Sequence, residues 1–311
     1  MFAFTKWYFD FLTPADEFVF VFVALVRFMG RTFGNVTLHV ARPDRPKPQT
    51  VSISIGQHTL TNGESLSIHL PQGEITVSGE ECTVDVSTSQ WSTALRFLSG
   101  SGTPRNPLLI RNGRRSMISW RPIGMGYDVS GSVSIGPDVL QVRDAAGYVD
   151  HLESTFLPPL VPVRRLYWGR LHNCDFDFAY VKADGGPGKA ASWAKAYLRE
   201  GNTMHEAEDV RMDFRGTVAG SLPAAGDGSD YTLNCGFGAT RLVAEVQHIR
   251  PVQQVSFIET ADIRLPALRA ILAKITRNPR GVKFLARADV AVTGRGTHKV
   301  SGPMIDEVVY L

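Results

Sequence analysis

The 311-residue sequence predicts an all-β protein made of two sequential antiparallel β-barrels or sandwiches, with a few short helices. Three observations lead to this fold class. Short segments alternate polar and apolar residues with a period of two, Gly-containing breaks separate them at regular spacing, and a Pro-rich stretch lies near the middle of the chain. With 43% hydrophobic and 20% charged residues the composition is globular, and each half is long enough to bury its own core.

The first half contains the clearest strand patterns. Residues 18–28 (FVFVFVALVRF) are nearly all β-branched or aromatic. The period-two segments that follow lie at 50–55, 65–70, 74–78, 82–87, 128–135 and 139–143. Such short strands at regular spacing predict a meandering antiparallel sheet that closes into a barrel or sandwich.

A connection between two domains is predicted at residues 157–163 (LPPLVPV), which hold three prolines. Proline cannot donate a ladder hydrogen bond, so this stretch is a poor strand. We therefore expect an N-terminal domain over 1–146, an interdomain segment over 147–165 and a C-terminal domain over 166–311. Strand patterns resume at 166–182 and recur at 209–218, 230–234, 239–247, 253–259, 282–292 and 304–310.

Two stretches have apolar residues at helical spacing, namely 189–200 (KAASWAKAYLRE) and 265–277 (LPALRAILAKITR). Pro266 stands near the start of the second, where a missing N–H costs little. We expect both helices to be lids or struts beside the β core.

Charge and cysteine content exclude several function classes. A formal charge of +3, from 33 basic and 30 acidic residues, does not indicate a nucleic-acid partner. Three widely spaced cysteines predict neither a disulfide framework nor a cysteine zinc site, and a reducing compartment fits them. The longest apolar run, 18–29, contains Arg27 and is too short for a membrane helix. We expect a cytoplasmic protein with no transmembrane segment, leaving peripheral membrane contact and oligomeric state open.

Familiar cofactor and nucleophile motifs are missing from the sequence. It contains no dinucleotide-binding Gly-x-Gly-x-x-Gly before a helix, no phosphate-binding Walker loop, no His-Glu-x-x-His and no Gly-x-Ser-x-Gly elbow. We therefore expect no cofactor and no metal.

Four ordered segments carry a resemblance to a known family. They are Trp7-Tyr8-Phe9-Asp10, 120–133 (WRPIGMGYDVSGSV), 147–151 (Gly-Tyr-Val-Asp-His) and 167–172 (Tyr-Trp-Gly-Arg-Leu-His). Together they resemble the carotenoid 1,2-hydratase (hydroxyneurosporene synthase) family and its AttH-like relatives, which are lipocalin-like two-barrel proteins. The sequence departs from that family after His151, where it has Leu-Glu-Ser instead of Asn-Trp-Gly. This difference implies a different ligand.

The resemblance implies a dry, aromatic-lined pocket with one acid. Protonation of an alkene creates a carbocation, which aromatic faces stabilise and which exclusion of water protects from premature quenching. We therefore predict a cofactor-independent hydratase, lyase, isomerase or cyclase that acts on a hydrophobic, isoprenoid-like or aromatic small molecule. The alternative is a non-catalytic carrier of a lipid-like ligand, since barrels of this kind commonly just hold ligands.

The segment that resembles Gly-Tyr-x-Asp-His contains the candidate catalytic residues. Asp150 is the expected general acid, with His151 or Tyr148 as its hydrogen-bond partner. The alternative is that Asp150 caps a turn and His151 satisfies backbone groups. Glu153 shares a face with His151 on an extended chain, so it is a candidate for substrate binding, and an exposed loop glutamate is the alternative that the sequence favours.

The two Trp-containing segments contain the other candidates for substrate binding. Trp168, Arg170 and His172 alternate onto one face of a predicted strand. The alternative for the first two is a structural Trp that closes the barrel floor with Arg stacked across it. Trp7 and Asp10 complete the set. An aspartate inside an aromatic strand is unfavourable unless it is paired, so we expect Asp10 to pair with an arginine across the barrel.

Overall fold

The computed structural model describes the residues 2–28, 30–45, 47–55, 59–62, 66–78, 80–98, 106–112, 116–156, 160–173, 175–185, 192–215, 230–256, 280–294 and 297–310. All elements in these ranges that extend over several hydrogen-bonded residues are β-strands, and neighbours along both sheets pair antiparallel. The predicted all-β fold class is therefore confirmed. The chain divides into two compact units, which we call unit 1 (Met1–Leu109 and Arg115–Thr155) and unit 2 (Ile110–Arg114 and Phe156–Leu311).

The first sheet has twelve strands in the order β4-β3-β2-β1-β12-β11-β9-β8-β7-β6-β5, with β10 paired to β11 off this path. The sheet is a nearly closed barrel with β4 and β5 at its two edges, and the first strand pairs with the last in its middle. Its strands are β1 (Phe2–Leu12), β2 (Phe18–Phe28), β3 (Arg31–Ala41), β4 (Gln49–Ile55), β5 (Thr59–Asn62), β6 (Leu66–Leu70), β7 (Gly73–Val77), β8 (Glu81–Ser87), β9 (Trp91–Leu98), β10 (Leu108–Asn112), β11 (Ser116–Ile135) and β12 (Asp138–Ser154).

The second sheet has nine strands in the order β16-β15-β14-β13-β21-β20-β19-β18-β17. Here too the first strand in the chain pairs with the last. Its strands are β13 (Val163–His172), β14 (Phe176–Gly185), β15 (Ser192–Glu200), β16 (Thr203–Ala207), β17 (Val210–Phe214), β18 (Tyr231–Phe237), β19 (Thr240–Ser256), β20 (Arg280–Thr293) and β21 (Thr297–Tyr310).

Strand alternation gives each sheet one face toward its core. In β1 the side chains of Trp7, Phe9 and Phe11 enter the apolar core of unit 1. The intervening residues point to the opposite face, which we call the outer face of the first sheet. Tyr8 and Asp10 on this outer face are nevertheless buried as deeply as the core. The strand is therefore apolar on one side and buried on both, which explains why its sequence shows little polar alternation.

The helix predicted at 189–200 is wrong, because Ser192–Glu200 forms β15 between β14 and β16. Ala196 and Leu198 enter the core of unit 2, while Lys195 and Tyr197 are buried on the other face. Pairing on both edges overrides the helix propensity of Ala, Lys and Leu. The helix predicted at 265–277 lies outside the described residues. Among the described residues, no helix has the length and apolar character needed to cross a membrane.

Residues 147–154, which we expected in the interdomain segment, form the second half of β12. This half pairs with β1 on one side and β11 on the other. The segment therefore lies inside the first sheet, and this position determines the surroundings of the predicted acid.

Candidate functional site

Two carboxyl groups and two phenols share the outer face of the first sheet. In the pairing of β1 with β12, Tyr8 lies opposite Asp150 and Asp10 lies opposite Tyr148. Directly opposed residues of an antiparallel pair point to the same face, so the four side chains form one patch. All four are at most 4% exposed. The two carboxyl groups belong to diagonal neighbours, whose Cα atoms are typically about 7–8 Å apart.

The Asp150 carboxyl is held by an indole from the neighbouring strand. Trp120 Nε1 on β11 donates to Asp150 Oδ2 over 3.1 Å, and both side chains are buried. We call Tyr8, Asp10, Trp120, Tyr148 and Asp150 the outer-face cluster. This cluster combines buried carboxyls, hydroxyls and aromatic rings, which are groups that acid–base chemistry on an apolar ligand can use.

The strand opposite Asp150 is irregular at the cluster. The pairing of β11 with β12 shifts between Pro122 and Gly124 and again between Met125 and Tyr127. A Cβ atom on Gly124 would lie 2.4 Å from the Tyr127 hydroxyl oxygen, so a side chain there would displace that ring. Bulges re-aim side chains and are over-represented next to active sites. Two such irregularities therefore lie beside the cluster.

An aromatic band continues the outer face across β2 and β3. The Phe20 ring stacks on His39 with 4.6 Å between ring centroids, and it lies 5.6 Å from the Tyr8 ring. Phe22 stacks on Phe20 at 6.0 Å. The Lys6 ammonium lies 5.2 Å from the Tyr8 ring centroid, so this ring already makes a cation–π contact. The band places aromatic faces, which stabilise cations, beside the outer-face cluster.

Trp7, His151 and Glu153 lie on the opposite face from Asp150. The Trp7 and His151 rings stack with 5.1 Å between centroids on the core side, so His151 is not placed to bond Asp150. Burial, followed by the charge of Arg121, lowers the pKa of His151 to about 4. His151 Nε2 lies 3.7 Å from Glu153 Oε1, and Glu153 is half-exposed. At neutral pH His151 is uncharged, so this contact is not an ion pair.

The candidates on β13 belong to unit 2. Trp168 and Arg170 are both buried on the face of the second sheet turned away from its core. The Lys283 ammonium lies 5.4 Å from the Trp168 ring centroid and bonds the Glu307 carboxylate. His172 is partly exposed and bonds Asp177, which Arg199 also contacts. The structure thus brings Asp10, Tyr148 and Asp150 together and places Trp168, Arg170 and His172 in another unit.

A second polar group of residues lies in the core of unit 2 and was not predicted. Asp306 on β21 accepts a hydrogen bond from the Tyr180 hydroxyl at its Oδ1, over 2.8 Å. Its Oδ2 lies 2.6 Å from His248 Nε2. The Tyr180 hydroxyl also lies 2.7 Å from the Tyr231 hydroxyl. The signal that singled out Asp10, an aspartate within an apolar strand, applies equally to Asp306. Within the described ranges, no three His, Cys, Asp or Glu side chains converge as a metal site.

No family model and no curated protein sequence matches the chain. Solved structures do match it over its whole length. CghA with Sch210972 superposes with a TM-score of 0.73 at 12% identity, covering 100% of this chain and 89% of that one. Kievitone hydratase from Nectria haematococca superposes with a TM-score of 0.57 at 10% identity, covering 98% of this chain and 88% of that one. A Nitrosomonas europaea protein assigned as AttH superposes with a TM-score of 0.55 at 12% identity, covering 99% of this chain and 92% of that one.

The chain has the lipocalin-like fold of these proteins. The fold implied by the sequence resemblance is therefore confirmed. At 10–12% identity the similarity establishes the fold alone, so the activity must be argued from the residues of this chain.

Proposed function

We propose that the protein is a cofactor-independent acid–base enzyme, a hydratase, lyase, isomerase or cyclase, that acts on an isoprenoid-like or aromatic small molecule. Asp150 is its acid. The observation that carries the proposal is the Asp150 carboxyl itself, which is only 4% exposed and is oriented by Trp120 on an aromatic face. Removal from water favours the neutral form of a carboxyl, which is the form that can deliver a proton.

The proposed first step is protonation of a carbon–carbon double bond. The Asp150 O–H bond breaks, a C–H bond forms from the alkene π electrons, and a carbocation and a carboxylate remain. The rings of Tyr8 and Phe20, which share the outer face, would stabilise the cation through their quadrupoles. The carboxyl oxygens of Asp10, the diagonal neighbour, would stabilise the cation through their partial negative charge, which does not require that carboxyl to be ionised.

The second step decides the type of reaction. In a hydration, water adds to the cation and returns a proton to the Asp150 carboxylate. In an isomerisation, a carbon next to the cation loses a proton to the Asp150 carboxylate instead. In a cyclisation, a second double bond first attacks the cation, and the new cation then loses a proton to that carboxylate. The existence of a kievitone hydratase with this fold supports the first route for the present chain. Exclusion of bulk water from the face favours the second.

The proposal is tested by proton transfer in heavy water. Protonation of a double bond by Asp150 places one deuterium on carbon in a hydration, an isomerisation and a cyclisation, so one mass-spectrometric assay covers these three routes for a panel of prenylated phenols and linear isoprenoid alkenes. Asp150→Asn keeps the size of the side chain but cannot deliver a proton. We expect deuterium incorporation to fall about 10²–10⁴-fold, the usual contribution of a general acid.

Two further variants make the result specific. Asp10→Asn should cause a smaller loss if that carboxyl only stabilises the cation, and a loss of equal size would move the acid role to Asp10. Asp85→Asn changes an exposed carboxyl on β8 and should leave the rate unchanged. Binding of the panel without any deuterium incorporation by the wild type would support the carrier function instead.

A further inference from the structure

The hairpin formed by β2 and β3 extends beyond the neighbouring strands of the first sheet. The described part of β4 ends opposite Gly34, and β12 ends opposite Phe4. Pairing between β2 and β3 continues for three more residues of β3, to Phe28 and Arg31, or about 10 Å at about 3.4 Å per residue. At the turn, Gly30 has a φ of 78°, and a Cβ atom there would meet nothing within 4 Å. The end of this hairpin is therefore open to solvent.

Two arginines are the charged residues at this end of the hairpin. Arg27 and Arg31 are both exposed, and strand alternation directs them to opposite faces. Residues 18–41, which contain both strands and their turn, include no aspartate or glutamate. Within the part of the chain that the structure describes, neither guanidinium forms an ion pair. Arg45, which follows the other end of β3, is by contrast bonded to Asp138. The described residues therefore leave the positive charge at the hairpin end without a counter-charge.

An apolar row lies beside these charges. Phe4, Val26 and Phe33 are direct cross-strand neighbours on β1, β2 and β3, so their side chains share one face. Phe4 and Val26 are half-buried, whereas Phe33 is 55% exposed. Arg31 stands two residues from Phe33 on the same strand, so its guanidinium lies on the face of the exposed ring. We call Phe4, Val26, Arg27, Arg31 and Phe33 the hairpin tip.

The composition of the hairpin tip fits the surface of a membrane that contains anionic lipids. Binding at such an interface grows with the apolar area that the protein buries there and with the attraction between basic side chains and lipid headgroups. A purely ionic partner would use the two guanidiniums and leave the exposed Phe33 ring in water. The two strands satisfy their backbone groups by pairing with each other, so the hairpin can enter the headgroup region without refolding.

We propose that the hairpin tip is a docking surface for a membrane rich in anionic phospholipids. Phe33 enters the boundary between headgroups and acyl chains, and the guanidiniums of Arg27 and Arg31 bond the anionic headgroups. End-on docking uses both guanidiniums although they lie on opposite faces of the hairpin. The contact is peripheral and reversible, since stable anchoring needs stronger signals than two charges and one ring. This function goes beyond the acid chemistry proposed for Asp150 and does not depend on it.

The test is flotation of the full chain with lipid vesicles in the absence of any substrate. One vesicle type is phosphatidylcholine alone, and the other contains about a third of its lipid as phosphatidylserine. We expect the wild type to bind the second type at least about tenfold more strongly. Arg27→Gln and Arg31→Gln should each lower that binding about fivefold, the usual contribution of one basic side chain near an anionic membrane. Phe33→Ser should lower it about tenfold, because the ring no longer leaves water.

Matched variants at the far end of the same sheet separate docking from a general attraction of the protein to anionic vesicles. Arg143 and Val139 on β12 lie beyond Ala146, which pairs with Leu12 at the end of β1 away from the tip. Both are exposed, Val139 to 57%. Arg143→Gln and Val139→Ser remove a charge and an apolar group of similar exposure. Each should change the binding by less than about twofold, since salt screens charges this far from the docked surface.

Three results would overturn the proposal. The first is absence of binding, or equal binding to the two vesicle types, by the wild type. The second is an equal loss in Arg143→Gln and the tip arginine variants, which would indicate attraction through net charge alone. The third is wild-type binding by Phe33→Ser, which would exclude insertion of the ring. All substituted side chains are exposed, so thermal melts should be unchanged. A negative result here leaves the deuterium assay of Asp150→Asn unaffected, so the two proposals fail separately.

Discussion

Units 1 and 2 have the same arrangement of first and last strands but present a central aspartate on opposite faces. In unit 1, Trp7 on β1 pairs with His151 on β12, and both side chains face the core, so Asp150 faces outward. In unit 2, Trp168 on β13 pairs with Glu307 on β21, and both face away from the core, so Asp306 faces inward. Because side chains alternate with a period of two, a shift of one residue moves every side chain to the other face.

The difference shows that one topology can place an aspartate in two chemically distinct surroundings. The inward Asp306 is surrounded by hydrogen-bond donors of its own unit, namely the Tyr180 hydroxyl and the His248 imidazole. The outward Asp150 takes the Trp120 indole as a donor and shares its face with an aromatic band. The first arrangement pairs the carboxylate with a phenol and an imidazole, whereas the second places a carboxyl beside an indole and aromatic rings.

The largest expected effect tests whether the outer face of unit 1 is packed like a core. Phe20 is 0% exposed on the outer face, and Phe97 is 0% exposed on the core side. Truncation of a buried phenylalanine to alanine typically costs about 3–5 kcal/mol. We expect Phe20→Ala and Phe97→Ala each to lower the free energy of unfolding by that amount, measured by denaturant titration.

Phe33→Ala is the matched control, since Phe33 is 55% exposed and should change the stability by less than about 0.5 kcal/mol. If Phe20→Ala resembled Phe33→Ala instead of Phe97→Ala, the aromatic band would not be a packed surface. The outer face of unit 1 could then no longer be described as packed like the core face.

The next effect tests the close packing of Tyr180 and Asp306 against Gly169. Gly169→Ala forces a Cβ atom against Tyr180 and Asp306. Overpacking of this kind costs about 1–3 kcal/mol, so the melting temperature should fall. Gly236→Ala on β18 is the control, because the nearest atom to a Cβ there is Asp209 Oδ2 at 4.0 Å. Equal melting temperatures for the two variants would show that the core of unit 2 has room for a methyl group at Gly169.

Part of this molecule follows from the sequence because strand patterns are local. The β-branched and aromatic run at 18–28 and the alternating segments of the first half predicted strands that the structure contains. The helix predicted over 189–200 was wrong because the Ala, Lys and Leu residues of this segment favour a helix when taken alone. Only the pairing with β14 and β16 decides its structure, and that pairing involves residues distant in the chain.

The candidate site was only partly predictable for a related reason. Tyr148 and Asp150 were singled out, and they share the outer face with Asp10 as cross-strand neighbours. His151 was expected beside Asp150, but adjacent residues of a strand point to opposite faces, and the segment was not recognised as a strand. The Trp120 donor could not be deduced, because the bulges in β11 set its register and the sequence does not reveal them.

The smallest expected effect concerns His151, one of the histidines that stack on an aromatic ring. His248 faces a carboxylate, whereas His151 stacks on Trp7 near the charge of Arg121. Burial lowers the pKa of His151 to about 4 in the folded protein, against the usual value of about 6.5 in an unfolded chain. Between these values the unfolded state binds more protons, so acid shifts the equilibrium toward unfolding. The stabilisation from neutral His151 is complete above about pH 6.5 and is lost as the pH falls toward 4.

His151→Gln removes this titration while keeping a polar side chain of similar length. Between about pH 7.5 and pH 5 we expect the free energy of unfolding of the wild type to fall by about 1 kcal/mol more than that of the variant. The partial exposure of the His151 side chain makes this loss smaller than the pKa difference alone would give. The measurement is the free energy of unfolding of both proteins at the two pH values. The difference between them at the higher pH supplies the pH-independent cost of the substitution. If the two proteins lose the same stability on acidification, His151 titrates alike in the folded and unfolded states. Its placement against Trp7 on the core side, and with it the outward direction of Asp150, would then be contradicted.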